Sequence, residues 1–121
     1  MAVTTNARSA PDELAYFASH SGAVGVISQT GLADRLPLSS DGSLSWCVLL
    51  DDIGQQQDVP AKLPAHLSWA QFIAKGQGKD LPELPADPER SISVQYTSGT
   101  TSRPKGVLFT PANAMFSGRQ N

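Results

Sequence analysis

The residues best suited to chemistry form one stretch late in the chain, Thr97 to Gly106, which reads TSGTTSRPKG. Hydroxyl side chains and a glycine precede Lys105 in it. Glycine lets backbone N–H groups approach an anion, hydroxyls add adjustable hydrogen bonds, and the lysine ammonium supplies a compact positive charge. This combination predicts an oxyanion-binding loop whose ligand is a triphosphate or a pyrophosphate.

The stretch differs from the Walker phosphate loop. In that motif a glycine directly precedes the lysine and a serine or threonine follows it, whereas Lys105 lies between Pro104 and Gly106. Nucleotide binding here would therefore need another arrangement. A plain turn between two strands is also compatible with this composition, because Ser, Thr, Gly and Pro favour turns for local reasons. Composition alone leaves both interpretations open.

The order of the residues favours nucleotide binding over a plain turn. Residues 96–107, YTSGTTSRPKGV, closely resemble the phosphate-loop motif of the adenylate-forming superfamily, whose usual form is YTSGTTGxPKGV. These enzymes use ATP to convert a carboxylate into an acyl-adenylate with release of pyrophosphate, and most then transfer the acyl group to a thiol. Ser102 replaces the commoner glycine of the motif, and Pro111 stands where the family often has histidine.

A second segment resembles one branch of the adenylate-forming superfamily in particular. Residues 6–23, NARSAPDELAYFASHSGA, are similar to an acyl-CoA ligase segment in which Asn-x-Arg leads into a helix that ends at Ser-x-Ala. The likeness is carried by Asn6, Arg8, Glu13, Leu14, Tyr16 and Ser21. Amino-acid-activating domains usually differ here, so an acyl-CoA ligase is favoured over a fragment of such a domain.

The resemblance also implies roles for individual residues. The residues expected around the β and γ phosphates of ATP are Thr97, Ser98, Gly99, Thr100, Thr101 and Lys105. Thr97 is also expected to contact Mg²⁺, Lys105 is the expected catalytic residue, and CoA is the expected co-substrate of the intact enzyme. Donors placed on the leaving pyrophosphate stabilise the charge that it gains.

The elements that must position this loop alternate along the chain, which predicts an α/β fold with a partial, mostly parallel sheet and flanking helices. The resemblance makes residues 1–121 a piece of the large amino-terminal domain of an adenylate-forming enzyme. The predicted helices cover about 10–21, a short segment capped by Thr30 and closed by Pro37, the segment from Ser68 to Gly76, and a segment opened by Thr110 and Pro111. The predicted strands cover 23–28, 46–50, 92–97 and 107–109.

Local signals set the ends of these elements. Ser9 and Asp12 suggest a cap for the first helix and Gly22 its stop, while Ser68 with Gln71 forms a capping box. The strands at 23–28 and 46–50 are apolar on both faces, so both need cover on both sides. Three short helices cannot give this cover, so the chain alone is expected to expose apolar surface and to associate or pack loosely. Surface loops are predicted at 54–67 and 76–90, where proline and glutamine interrupt any periodicity.

Other polar residues receive structural interpretations. His20 and His66 have no partner at a catalytic spacing and are expected at the surface or at helix ends. Cys47 is expected to be a small buried hydrophobe. Asp51 and Asp52 suit a turn rather than a metal site.

Composition excludes several classes of function. The 121 residues are enough for one small domain. A net charge of -2 without a long basic run argues against nucleic acid as a partner. One cysteine allows no internal disulfide and no cysteine-cluster metal site. The chain shows no signal-peptide core and no membrane-spanning stretch, so a cytoplasmic location is expected.

The resemblance covers nearly the whole chain but only part of the family's large domain. The family's adenine, acyl and ribose contacts come from other segments, so both ends of the chain look cut and the missing remainder of the domain is an expected partner. The chain alone is expected to be inactive, because adenylation requires all of these contacts together. Two hypotheses follow: part of an ATP-dependent acyl-CoA ligase, or a non-catalytic truncated remnant that retains only a phosphate-binding loop.

Overall fold

The computed structural model describes residues 1–37, 44–51, 59, 63, 66–97 and 103–119. They fall into two compact units, Met1–Asn6 with Leu81–Asn121, and Ala7–Asp80. The elements in chain order are β1 (Ala2–Thr4), α1 (Pro11–Ser21), β2 (Gly25–Gln29), a 3-10 helix (Thr30–Arg35), β3 (Trp46–Leu50), β4 (His66–Ser68), α2 (Trp69–Gly76), β5 (Ser93–Thr97), β6 (Lys105–Phe109) and α3 (Pro111–Gly118).

The described strands form one three-stranded sheet in each unit, in the orders β1-β5-β6 and β2-β3-β4. Three of the four pairings are parallel, and only β5 with β6 is antiparallel. The prediction of an α/β chain with mostly parallel strands and flanking helices is therefore confirmed. No helix among the described residues has the length and apolar character needed to cross a membrane.

The core of the Ala7–Asp80 unit is built on β3. This strand lies between β2 and β4, and Cys47, Val48 and Leu49 are only 2%, 1% and 2% exposed. Cys47 and Leu49 pack with Ala33 of the 3-10 helix, and the partly buried hydrophobic residues around them are Val26, Leu36 and Leu63. The predicted buried strand and the buried Cys47 are both confirmed.

The opposite face of this sheet is covered only in part. Trp46 lies over the backbone of Gly25, its partner on β2. Its ring also stacks on Phe72 of α2, with centroids 6.5 Å apart and planes 14° apart. Ile27 of β2 nevertheless remains 47% exposed. Apolar surface therefore remains exposed on β2, as predicted, because β2 is an edge strand of the described sheet and α2 packs on β3 and β4.

Helix α1 begins differently from the prediction. The Ala10 N–H donates to the Glu13 carboxylate at 3.0 Å, and Pro11 occupies the first turn. The predicted Ser9–Asp12 cap is therefore wrong. Proline suits a first helical position, so it fixes the cap one residue later, at Ala10. The predicted stop is confirmed, since Gly22 has φ of 66° in the left-handed region that favours glycine.

The start of α2 was read correctly. Ser68 Oγ accepts from the Gln71 N–H at 3.2 Å, and the Gln71 side chain accepts from the Ser68 N–H at 2.9 Å. The helix ends at the predicted Gly76. From 79 to 92 the structure contains no helix or strand.

Between β2 and α2 the structure differs from the prediction in the role of Thr30 and in an additional strand, β4. Thr30 is the first residue of a 3-10 helix rather than a cap, and its hydroxyl donates to the Leu50 carbonyl at 3.1 Å. This bond to the end of β3 outcompetes a local capping bond because Thr30 is buried. Strand β4 was missed, and its first two residues lie in the stretch predicted as a loop over 54–67. Residues 52–58, 60–62 and 64–65 of that neighbourhood lie outside the described residues.

We expect Gly25→Ala to destabilise the chain. A methyl group there would overlap the Trp46 indole, so the ring must leave its place against Phe72. Overpacking of this kind costs about 1–3 kcal/mol. Urea unfolding would measure the loss, and tryptophan fluorescence would report movement of the ring. Gly76→Ala is the matched control, because nothing lies within 4 Å of its added methyl. Equal stability of the two variants would contradict the packing of Trp46 on Gly25.

Stability should also fall at alkaline pH because of Cys47. Burial raises the pKa of its thiol above the ordinary value. The unfolded chain therefore loses the thiol proton first. The stabilisation is complete below about pH 8.5 and is lost as the pH rises toward the folded pKa. Urea unfolding at intervals from about pH 7.5 to 9.5 should show this decline, and Cys47→Ala should flatten it. Identical slopes for the two proteins would argue against the effect.

Candidate phosphate-binding site

The hydroxyl-rich loop connects the two antiparallel strands β5 and β6. Thr97 is the last residue of β5 and Lys105 the first of β6. Parallel pairing with β1 on the other side of β5 places β5 in the middle of its sheet. Strands were predicted at both places, but β6 begins two residues before the predicted 107, so Lys105 belongs to the strand and not to the loop.

The register brings two of the predicted phosphate ligands together. Thr97 and Lys105 are direct cross-strand partners, and such partners place their side chains on the same face, with Cβ atoms about 4.5–5.5 Å apart. Both residues are exposed. The other four predicted ligands, Ser98, Gly99, Thr100 and Thr101, lie outside the described residues.

The two faces of this hairpin differ in character. Strand alternation places Ser93, Gln95 and Thr97 of β5 on the face that carries Lys105. The opposite face carries Val94, Tyr96 and Leu108, and Val94 is 5% exposed. Leu108 on that opposite face is 55% exposed. The face of the Thr97–Lys105 pair also carries Val107 and Phe109 of β6, so it is polar only along β5.

Helix α3 follows the hairpin, and its first turn is bonded within the chain. Thr110 caps it and Pro111 opens it, as predicted. The proline has no N–H to offer. The next amides donate from Ala112 to the Pro88 carbonyl at 3.0 Å, from Asn113 to Thr110 Oγ1 at 3.3 Å, and from Ala114 to the Thr110 carbonyl at 3.1 Å. These amides are therefore not available to a phosphate, although helix N-termini often bind one.

The side chains at the two ends of the loop offer positive charges and a hydroxyl group. Lys105 and Arg103 are both exposed there. Within the described part of the chain, no group of three His, Cys, Asp or Glu side chains could hold a metal ion. Mg²⁺ commonly binds through substrate phosphates and retained waters with few protein ligands, so the Thr97 hydroxyl is compatible with a supporting contact to a phosphate-bound Mg²⁺.

The two histidines lie away from this loop in sequence and occupy the expected kinds of position. His20 is exposed in the last turn of α1, with its ring 5.2 Å from that of Tyr16. His66 is exposed in β4. The sequence did not predict one contact beside the Thr97–Lys105 pair, the packing of Tyr96 against Gly106. The only sequence signal was their place on either side of the loop, and the contact itself depends on the strand register.

Comparison with known proteins gives a consistent result. The family model described as AMP-binding enzyme matches residues 1–121. The chain is 34% identical over 110 residues to 4-coumarate–CoA ligase 1 of Oryza sativa subsp. japonica, covering 90% of this chain and 19% of that protein. It is 32% identical over 108 residues to 4-hydroxybutyrate–CoA ligase 2 of Metallosphaera sedula, covering 88% and 20%.

A shorter alignment shows a higher sequence identity. The chain is 50% identical over 71 residues to long chain acyl-CoA synthetase 3 of Arabidopsis thaliana, covering 55% of this chain and 10% of that protein. The 121 residues thus span a fifth or less of the length of these curated relatives.

Proposed function

This chain belongs to the AMP-binding enzyme family, and from that premise we propose that its β5–β6 hairpin binds the ATP phosphates within an acyl-CoA ligase. The family match confirms the resemblance drawn from residues 96–107. The observation that carries the proposal is the direct pairing of Thr97 with Lys105 at the two ends of the hydroxyl-rich loop. An ammonium and a hydroxyl on one face, beside a glycine-containing loop, form a suitable cradle for a polyphosphate.

In the proposed reaction a carboxylate oxygen of the acid attacks the α phosphorus of ATP. A P–O bond forms, the bond to the β-phosphate oxygen breaks, and pyrophosphate leaves with the electron pair. Lys105 stabilises the charge that develops on this leaving group. Mg²⁺ neutralises phosphate charge when bound, and Thr97 supports it through its hydroxyl. The hairpin supplies no general base.

The second half of the proposed reaction uses CoA. Its thiol sulfur attacks the acyl carbonyl of the acyl-adenylate and forms a thioester. The bond between the acyl carbon and the AMP oxygen breaks, AMP leaves with the electron pair, and the thiol proton is released to solvent. Support comes from the relatives, whose names describe CoA ligases or acyl-CoA synthetases. Their named acids differ between 4-coumarate, 4-hydroxybutyrate and long chain acids, so the proposal assigns the reaction and not the acid.

A second candidate is a phosphate-binding remnant without catalysis. The observation that favours it is the pairing of a hydroxyl and an ammonium at Thr97 and Lys105, which suits an oxyanion and needs no further catalytic group. Acid-dependent exchange of pyrophosphate into ATP, measured on the complete protein that carries this segment, separates the two candidates. A ligase shows it, and a remnant binds pyrophosphate without it. A segment of an amino-acid-activating domain would show exchange with amino acids instead of acyl acids.

The central prediction concerns Lys105. In a protein that carries this segment and catalyses acid-dependent ATP–pyrophosphate exchange, Lys105→Ala should lower the rate by about 10 to 1000-fold, as expected for loss of one electrostatic partner of the transition state. Lys105→Arg should retain part of the rate because the charge remains.

Lys75→Ala is the matched control, because Lys75 is another exposed lysine but lies in the last turn of α2. Its exchange rate should equal that of the unchanged protein. The assigned role fails if Lys105→Ala exchanges pyrophosphate at the rate of this control.

Gly99 provides a separate test within the loop. A valine there should hinder close approach of the backbone to phosphate, so Gly99→Val should reduce ATP use far more than it lowers thermal stability. Ser102→Gly is the control, because it restores the family's commoner residue and should keep activity. Thermal melting beside pyrophosphate exchange would measure both effects. Parallel losses of stability and activity in Gly99→Val would favour a purely structural glycine.

A further inference from the structure

Tyr96 packs against a glycine across the hairpin. Tyr96 and Gly106 are direct cross-strand partners. A Cβ added at Gly106 would lie 3.4 Å from Cε1 of the Tyr96 ring, 3.5 Å from its Cζ, and 3.0 Å from Val94 Cγ1. The tyrosine ring therefore lies at van der Waals distance from the position of a Cβ at Gly106, and the valine methyl lies closer to it.

This contact lies one residue from the proposed phosphate ligands. The Tyr96–Gly106 pair directly precedes the Thr97–Lys105 pair, which is the last before the loop. Because strand side chains alternate, the ring lies on the face opposite the side chains of Thr97 and Lys105. Tyr96 therefore acts on the site through the backbone rather than by touching the phosphate.

A glycine next to the last pair weakens the hairpin at this point. It has no side chain to pack and a high backbone entropy in the unfolded chain. An aromatic residue directly across the strands can compensate, since cross-strand packing is the unit of sheet stabilisation. A slip of one residue in the register would move the Lys105 side chain to the face away from Thr97.

We propose that Tyr96 is a positioning residue of the phosphate site. Its ring, packed on Gly106, holds the end of the hairpin in register, so that Thr97 and Lys105 stand opposite each other on one face. This inference rests on the proposed function of that pair. It assigns to Tyr96 a task that needs the aromatic ring and no transfer of a proton.

The test compares Tyr96→Ala with Tyr96→Phe in the full 121-residue chain. One readout is structural: backbone proton NOEs across the Thr97–Lys105 pair. The other is the dissociation constant for pyrophosphate with Mg²⁺, from NMR titration. Tyr96→Ala should weaken the NOEs and raise the dissociation constant about threefold or more, which corresponds to the contribution of one aromatic cross-strand pair. Tyr96→Phe should keep the NOEs and stay within about twofold.

Leu108→Ala controls for general loss of stability. Leu108 lies on the same face of β6, two residues from Gly106, and pairs with Val94. Its truncation should lower the melting temperature and leave the Thr97–Lys105 NOEs and the pyrophosphate affinity unchanged. A loss of affinity in Leu108→Ala equal to that in Tyr96→Ala would overturn the specific role of the ring, as would a Tyr96→Phe variant no better than Tyr96→Ala.

Gly106→Ala keeps the inference testable where Tyr96→Ala fails to fold. Its methyl would lie 3.0 Å from Val94 Cγ1, which shares this face with the Tyr96 ring, so it should also shift the end of the hairpin and weaken pyrophosphate binding. Retention of full NOEs and affinity in Gly106→Ala would then refute the proposal. Failure of the proposed function has a different signature: the unchanged chain and Lys105→Ala bind pyrophosphate equally, while the NOE comparison still decides the role of Tyr96.

Discussion

Backbone hydrogen bonds between β5 and β6 fix the two ends of the hydroxyl-rich loop at a constant separation. β5 is also bonded along its other edge to β1, from Ser93 to Gln95. Closing a loop costs conformational entropy that the adjoining contacts must offset. Val94 of β5 is only 5% exposed, and burial of its side chain supplies part of that offset. The position of Lys105 relative to Thr97 is therefore a property of the sheet.

The Ala7–Asp80 unit depends on a different interaction, the burial of β3 between two parallel neighbours. Val48 shares a face of β3 with Trp46, whose ring stacks on Phe72 of α2, while Cys47 and Leu49 pack with Ala33 of the 3-10 helix. The aromatic rings on the α2 side contact one another, with Trp69 and Phe72 centroids 5.8 Å apart, which removes part of their apolar surface from water even though the rings remain partly exposed. Parallel strands require such cover on both faces, and the edge strand β2 receives less of it.

Local signals were sufficient wherever a residue acts on its own segment. Gly22 ends α1, Ser68 with Gln71 begins α2, and Thr110 begins α3, because each bond joins residues at most four positions apart. Sequence reasoning failed where the partner is distant. Thr30 bonds to Leu50, 20 positions away, and the Tyr96–Gly106 contact exists only once the strand register is set. Short β4 carries no alternation that could distinguish it from a loop.

The candidate site differs from the Walker loop in the element that carries the lysine. In that motif the lysine lies at the start of a helix whose N-terminal amides bind the phosphates. Here the first-turn amides of α3 are bonded to Thr110 and to Pro88, and Lys105 belongs to a strand. Its Cα is held by the sheet, so only its four-carbon stem remains to be ordered when an anion binds. Under the proposed function, the serine, threonine and glycine residues between Thr97 and Lys105 supply amide and hydroxyl donors that the first turn of α3 does not offer.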